Sequence, residues 1–286
     1  MATATGLFES PDLFFAELSC PPDDPEWGED NQVTRSIIAL PTTPVWQVHN
    51  GCERQLFNQN NVVFHHPGSE YRRERFRDLG YRCLFLIPAP TLLREVATEF
   101  DPAFEDRTDT NPPVSGPLDG RTFGLSRIIA RYLRIGMTEP MLARESLYEV
   151  LRGAVGASKP GATGLPAESE KTRRARREVV EEAKVVLTTR MGEGISIDDL
   201  ACHVYTSPYH LARLFRSGTG FSIHSYLTQL RLRTGLDQIQ GRHGGIGDVG
   251  LMLGFSSHSH FTTSFRRAFG LTPTAVLTST SALAAD

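Results

Sequence analysis

Two short clusters carry residue types that can read the edges of nucleic-acid bases. The first is Ser207, Tyr209, Ala212, Arg213 and Arg216; the second is His258, Ser259, Thr262, Thr263 and Arg266. Arginine pairs bidentately with guanine, Ser, Thr and His bond base edges, and tyrosine adds apolar contact and a hydroxyl. Chemistry of the bond-breaking kind finds no comparable set. There is no phosphate-cradling Gly loop, G-x-S-x-G nucleophile elbow or H-E-x-x-H helix, so no catalytic residue, enzyme activity or cofactor is expected.

The elements that must position these clusters form an imperfect repeat. One copy runs from Ile197 through Ser207-Pro-Tyr-His-Leu-Ala-Arg-Leu-Phe-Arg216 to Gly220; the other runs from Ile246 through Ser257-His-Ser-His-Phe-Thr-Thr-Ser-Phe-Arg266 to Gly270. Ser207 and Ser257, Leu211 and Phe261, and Phe215 and Phe265 are offset by 50, whereas Ile197 and Ile246 are offset by 49, so the second turn is one residue longer. Each copy reads as helix, tight turn, helix. Ser196 with Asp199 three residues on is a capping box, and Ser207 followed by Pro208 opens the next helix where a missing N–H costs nothing. Leu211, Leu214 and Phe215 face inward in one copy and Phe261, Phe265 and Phe269 in the other, which leaves the base-reading clusters outward. A longer helix from Ile223 to Ile239 fixes the separation. Two recognition helices, about 207–217 and 257–268, then suit successive major grooves of double-stranded DNA.

Charge agrees with this division. From Lys171 onward there are 14 Lys and Arg against 9 Asp and Glu, whereas the rest of the chain holds 16 against 24. A basic back half suits DNA and an acidic front half does not. The 286 residues suit two domains. No apolar run approaches the roughly 18 residues of a membrane span, and the N-terminus does not read as a signal peptide, so a cytoplasmic protein with no membrane partner is expected. Cys20, Cys52, Cys83 and Cys202 lie far apart and suggest no zinc or dithiol site.

The front half is expected to be α+β: a small β-barrel with strands about 30–90, then helices about 121–156. Ser36–Leu40, Pro44–Val48, Asn61–Phe64 and Cys83–Ile87 are the strand candidates. Phe123, Leu125, Ile128 and Ile129 form one helical stripe, and Met141, Leu142, Leu147, Val150 and Leu151 another. Residues 109–120 read as a loop. The expected domains are therefore 1–157, a Gly/Pro-rich linker at 158–172, and an all-α double helix-turn-helix domain at 173–286.

At Ser207–Arg216, Tyr226-Leu-Thr-Gln-Leu-Arg-Leu232, Gly254-Phe255 and Phe261–Pro273 the chain resembles the AraC/XylS family of bacterial transcription regulators, over a stretch from Glu178 through Pro273. The resemblance implies base reading by Tyr209, Ala212 and Arg213, then by His258, Ser259 and Thr263. Thr263 stands where some members carry arginine. Gly235, Gly247 and Gly250 fall inside helices, where each costs about 0.5–1 kcal/mol, so a more pliable second unit is expected. More loosely, Val62–Tyr71 resembles a segment of the cupin-like sensor domains that precede this module. That likeness implies a small-molecule effector, a homodimer and, for an activator, RNA polymerase as partner. Trp46, His49, Phe64, His65 and Tyr71 are the candidate effector residues, with core packing the alternative for most of the aromatic ones. No metal site is expected, because His65 and His66 are strand neighbours and face opposite ways. The run Tyr71-Arg-Arg-Glu-Arg-Phe-Arg77 reads as a partner for an anionic effector or, the simpler alternative, as a solvated strand edge.

Overall fold

The computed structural model describes residues 1–102, 114–157, 169–241 and 245–282, the last four without their side chains. The chain divides into two compact units, residues 1–163 and 164–286. Most of the expected linker lies outside the described residues. Its end does not: Ser169 caps a helix that begins at Glu170, so residues 170–172 are helical, because the Ser169 hydroxyl accepts from the Thr172 N–H.

The first unit opens on two antiparallel sheets. One has the order β1 (Thr3–Glu9), β2 (Leu13–Cys20), β9 (Tyr81–Pro88), β4 (Ile37–Pro41), β7 (Asn61–His65) and β10 (Ser115–Pro117); the other runs β3 (Asp30–Gln32), β8 (Glu70–Arg75), β5 (Val45–His49) and β6 (Gln55–Phe57). Among the described residues no ladder joins them into the closed barrel expected from the sequence. They instead share a core between their faces, in which Ala39, Val63, Tyr81 and Cys83 of the larger sheet meet Val45 and Phe57 of the smaller. By strand alternation Ile38, Val62, Leu84 and Leu86 point the other way, and they are equally buried. The larger sheet is therefore covered on both faces. Its strands start near the N-terminus rather than near residue 30.

Three helices complete this unit: α1 (Pro90–Phe100), α2 (Gly120–Arg134) and α3 (Pro140–Gly156). Helix α3 packs on both others, and α2 also meets β1. Leu147, Val150 and Leu151 are buried as their spacing predicts, but Met141 and Leu142 are 75% and 58% exposed. They lie off the buried stripe of α3, which runs from Ala143 in the same first turn through Leu147, Val150 and Leu151.

The second unit is all helical: α4 (Glu170–Thr189), α5 (Ile197–His203), α6 (Pro208–Thr219), α7 (Ile223–Gln240), α8 (Ile246–Met252), α9 (His258–Phe269) and α10 (Pro273–Ala282). Leu187, Leu200, Leu211, Phe215 and Tyr226 centre one core cluster. Phe261, Phe265, Leu236 and Val249 are as deeply buried around the second helix pair. Both copies end alike. Gly220 and Gly270 each take φ +77° and return an N–H to Arg216 and Arg266 respectively, which closes the last turn through the left-handed region that glycine occupies freely.

Candidate nucleic-acid interface and interior cavity

The two recognition helices present matched faces. The Ser207 hydroxyl accepts from the His210 N–H at 3.3 Å, and Ser257 accepts from His260 at 3.1 Å. These caps fix each helix start, where free N–H groups and the helix dipole favour a phosphate. In α6, Leu211, Leu214 and Phe215 are buried, and Tyr209, Arg213 and Arg216 follow one another at i, i+4 and i+7 on the exposed face. Tyr209 is 81% exposed. Ala212 is half-buried beside them. Among the described residues neither arginine is held in an ion pair, so both guanidinium groups are available to an incoming partner.

Helix α9 repeats the pattern with Ser259, Thr263 and Arg266, all exposed, and His258 joins them at the helix start. Thr262 departs from the expected outward position. It is half-buried, and its Oγ1 is shielded from solvent without a hydrogen-bond partner, because it follows Phe261 at the edge of the apolar stripe. His260 and Arg267 are exposed on this helix without having been singled out from the sequence, and His260 Nδ1 lies 3.1 Å from the Ser256 hydroxyl.

In the first unit a cavity of about 120 Å³ lies between the two sheets. Strand pairing builds it: Gln47 stands opposite Arg73 and His49 opposite Tyr71. His65 enters from the larger sheet, with its ring centroid 4.1 Å from Tyr71 and 5.2 Å from His49. His49 Nε2 lies 2.9 Å from Gln47 Oε1. Burial lowers the His49 pKa to about 4, with His66 adding to the effect. Burial also holds His65 well below the usual imidazole range, helped by His49, His66 and Arg73. Burial raises the Tyr71 phenol. Of the five candidate effector residues, three are thus brought together, and His65 and Tyr71 line the cavity itself.

Trp46 and Phe64 fall outside that lining. Trp46 is half-buried under the Arg54 guanidinium, 4.6 Å from its ring centroid. Phe64 is buried on the face opposite His65, as alternation requires. Arg73 corrects the reading of its charged run as a solvated edge. It is only 5% exposed, lines the cavity, and leaves Nη1 shielded without a partner. Alternation from Tyr71 was the available signal, since both residues point to the same side of β8.

A helix-turn-helix domain model matches residues 200–279. The probable transcription factor PqrA of Proteus vulgaris is 37% identical over 81 residues, 28% of this chain and 66% of that protein. This stretch of the chain is an AraC-type helix-turn-helix domain. The bifunctional transcriptional activator/DNA repair enzyme AdaA of Bacillus subtilis is 28% identical over 81 residues, 28% of this chain and 38% of that protein. The crystal structure of a transcriptional regulator with an AraC-type DNA-binding domain, from Chromobacterium violaceum, is 30% identical and covers 38% of this chain and 96% of its own, with a TM-score of 0.35. The chain thus spans less than two thirds of the length of either curated relative.

Within the AraC-type domain the two turns keep the offset of 49 through their left-handed residue and gain the extra residue only before the second cap. Tyr205, with φ +53°, occupies in the first turn the place of Gly254, with φ +80°, in the second. Two of its helix glycines mark close packing. A Cβ on Gly250 would meet the Phe261 Cβ at 2.9 Å, and one on Gly235 would meet the Phe261 ring at 3.2 Å, whereas Gly247 would meet only His258 at 3.7 Å. Helix propensity alone, which makes these glycines sources of pliability, leaves out that Gly235 and Gly250 are buried where helices approach. Gly250→Ala is therefore expected to destabilise this unit by about 1 kcal/mol or more from overpacking, seen as a lower urea midpoint, despite the roughly 0.5–1 kcal/mol that alanine gains in a helix. Gly247→Ala should be neutral or stabilising. A Gly250→Ala protein more stable than its parent would refute the packing role.

Proposed function

We propose that the chain is a sequence-specific, DNA-binding transcription regulator that reads successive major grooves with α6 and α9. The observation that carries this is the matched pair of exposed rows, Tyr209–Arg213–Arg216 and Ser259–Thr263–Arg266, on two capped helices of an AraC-type domain. In this reading Arg213, Tyr209, Ala212, His258, Ser259 and Thr263 face bases. Arg216 and Arg266, with the helix starts at Ser207 and Ser257, hold phosphates. Thr262 has a supporting place at the rim.

The proposal includes a cupin-like first unit at 1–157, joined by a linker ending at Ser169, that takes a small effector and makes a cytoplasmic homodimer, with RNA polymerase as the further partner of an activator. The interior cavity supports the effector part. Ile135, Met137, Met141 and Leu142, all exposed near the junction of α2 and α3, support an apolar contact surface. DNA repair is an activity of the relative AdaA, and the far-apart cysteines of this sequence favour the regulator.

The test is selection of bound fragments from a genomic DNA pool by the full chain and by Arg213→Ala. An enriched repeated sequence is expected. The substitution should weaken binding to it by about 1–3 kcal/mol and relax the choice of one base pair. Salt-sensitive binding without any enriched sequence, unchanged by the substitution, would point to a nonspecific DNA binder instead.

A further inference from the structure

The cavity between the sheets holds a charge that no residue of its lining balances. Among the described residues lining it, Arg73 alone is permanently charged, and no carboxylate is present. Its guanidinium is almost fully enclosed, with Nη1 unpartnered, and among the described residues it is held in no ion pair. A buried cation is stable only when an anion or several acceptors complete it. The neighbouring acceptors are weak ones. Gln47 opposite Arg73 is already engaged with His49, and the tyrosine hydroxyls and Cys83 remain protonated, since burial raises Tyr71, Tyr81 and Cys83 alike. The Tyr81 hydroxyl, itself shielded from solvent, has only the weakly accepting Cys83 sulfur beside it. Leu18, Ile37 and Phe85 supply the apolar part of the lining, Leu18 opposite Cys83 and Ile37 opposite His65.

We propose that this cavity binds a short-chain aliphatic carboxylate, with the carboxylate on Arg73 and the Tyr81 hydroxyl and the hydrocarbon tail against Leu18, Ile37 and Phe85. The planar guanidinium matches a carboxylate geometrically as well as in charge. Size sets the chain length. A cavity of about 120 Å³ compares with the roughly 150 Å³ that accommodates benzene, so a ligand on the order of six non-hydrogen atoms fits, as butyrate or valerate does. A single buried cation favours a monoanion. This deepens the effector part of the proposed function, and its test uses binding to the protein rather than DNA binding, so the two can fail separately.

The experiment is calorimetric titration of the full-length protein with acetate, butyrate, valerate and octanoate, and with butyramide, 1-butanol and inorganic phosphate as probes. Butyrate or valerate is expected to bind saturably. Butyramide and butanol should bind at least about 10-fold more weakly, as loss of a charge-assisted pair predicts. Octanoate should bind no more tightly than valerate, because carbons beyond the cavity find no further wall, and phosphate should be disfavoured by the apolar wall. Arg73→Met should abolish the preference of acid over amide. Should that variant fail to fold, Tyr81→Phe, which keeps the ring, is expected to weaken butyrate severalfold while leaving butyramide unchanged. The proposal is overturned if no short acid binds, if the amide binds as well as the acid, or if phosphate alone binds. Sequence-specific DNA binding measured in parallel without any acid would leave the regulator reading standing in each of those cases.

Discussion

Phe261→Ala is expected to destabilise the second unit by about 3–5 kcal/mol, the range for deleting a buried aromatic ring. Phe261 is fully buried and sits at the centre of an aromatic chain, with ring centroids 5.2 Å from Phe255 and 5.5 Å from Phe265. The cost of such a deletion depends on how far the surroundings collapse into the hole. Here they collapse poorly, because two of the nearest neighbours are Gly235 and Gly250, which have no side chain to move inward. The loss therefore belongs at the upper end of the range, and it is a large share of the roughly 5–15 kcal/mol that holds a domain together. Phe269→Ala, at a site 8% exposed and at the end of the same chain, should cost less. Amide hydrogen exchange of the full-length protein separates these outcomes, since protection of residues 246–269 should fall in Phe261→Ala while that of 197–219 falls less. A loss below about 1.5 kcal/mol would show that the cavity closes and that the glycines do not hold it open.

What could be read from the sequence follows how local the determining interactions are. The second unit was legible because its signals act within one helix: Ser196 with Asp199, Ser207 with Pro208, and Phe261, Phe265 and Phe269 at a helical interval. The repeat doubled each of them. Propensity, being local, reads Gly247 but leaves out what decides Gly235 and Gly250: Leu253 and Phe261, which lie outside their own helices. The first unit depends on pairing between distant segments. Strand β1 is largely exposed and lacks apolar alternation, so its order comes from its ladder with β2 rather than from its own residues. Helix α1 opens on Pro90 and follows β9 directly, which hid it behind a strand signal.

The cavity shows the same limit at the level of single residues. His49, His65 and Tyr71 were found as chemistry-bearing residues near one another in sequence, but the register of β5 on β8 decides that they meet. A charged side chain such as Arg73 reads as solvated unless the face of its strand is known. Trp46 and Phe64 were assigned by residue type. Alternation would have separated Phe64 from His65, since adjacent strand residues cannot both face one cavity.

Acid should selectively loosen the first unit. At pH 7.5 His49 and His65 are neutral in the folded protein, because burial lowers both, His49 to about 4. In the unfolded chain a histidine titrates near 6.5. The unfolded state therefore binds more protons as pH falls below that value, and the contribution to stability, full above about pH 6.5, is lost progressively toward pH 4. For His49 alone the loss is about 2 kcal/mol at pH 5, and His65 adds to it in the same direction. For a unit of this size that corresponds to a fall of roughly 4–8 °C in melting temperature or more. The carboxylates with lowered pKa, Asp12 and Glu99 in this unit, have ordinary values of 3.8 and 4.5 and act mainly below this window. The groups around the two rings do not offset the effect: Tyr71 is raised away from it, and His66 and the Arg73 guanidinium both oppose a further positive charge. Thermal unfolding of the full-length protein at pH 7.5 and 5.0, followed by the fluorescence of Trp27 and Trp46, checks this. His49→Gln keeps a polar group beside Gln47 but removes the titration, so it should shrink the acid shift of the first unit by about half. An equal shift in parent and variant would place the acid sensitivity elsewhere, and no shift at all would mean that the stacked histidines are reached by water in the folded state.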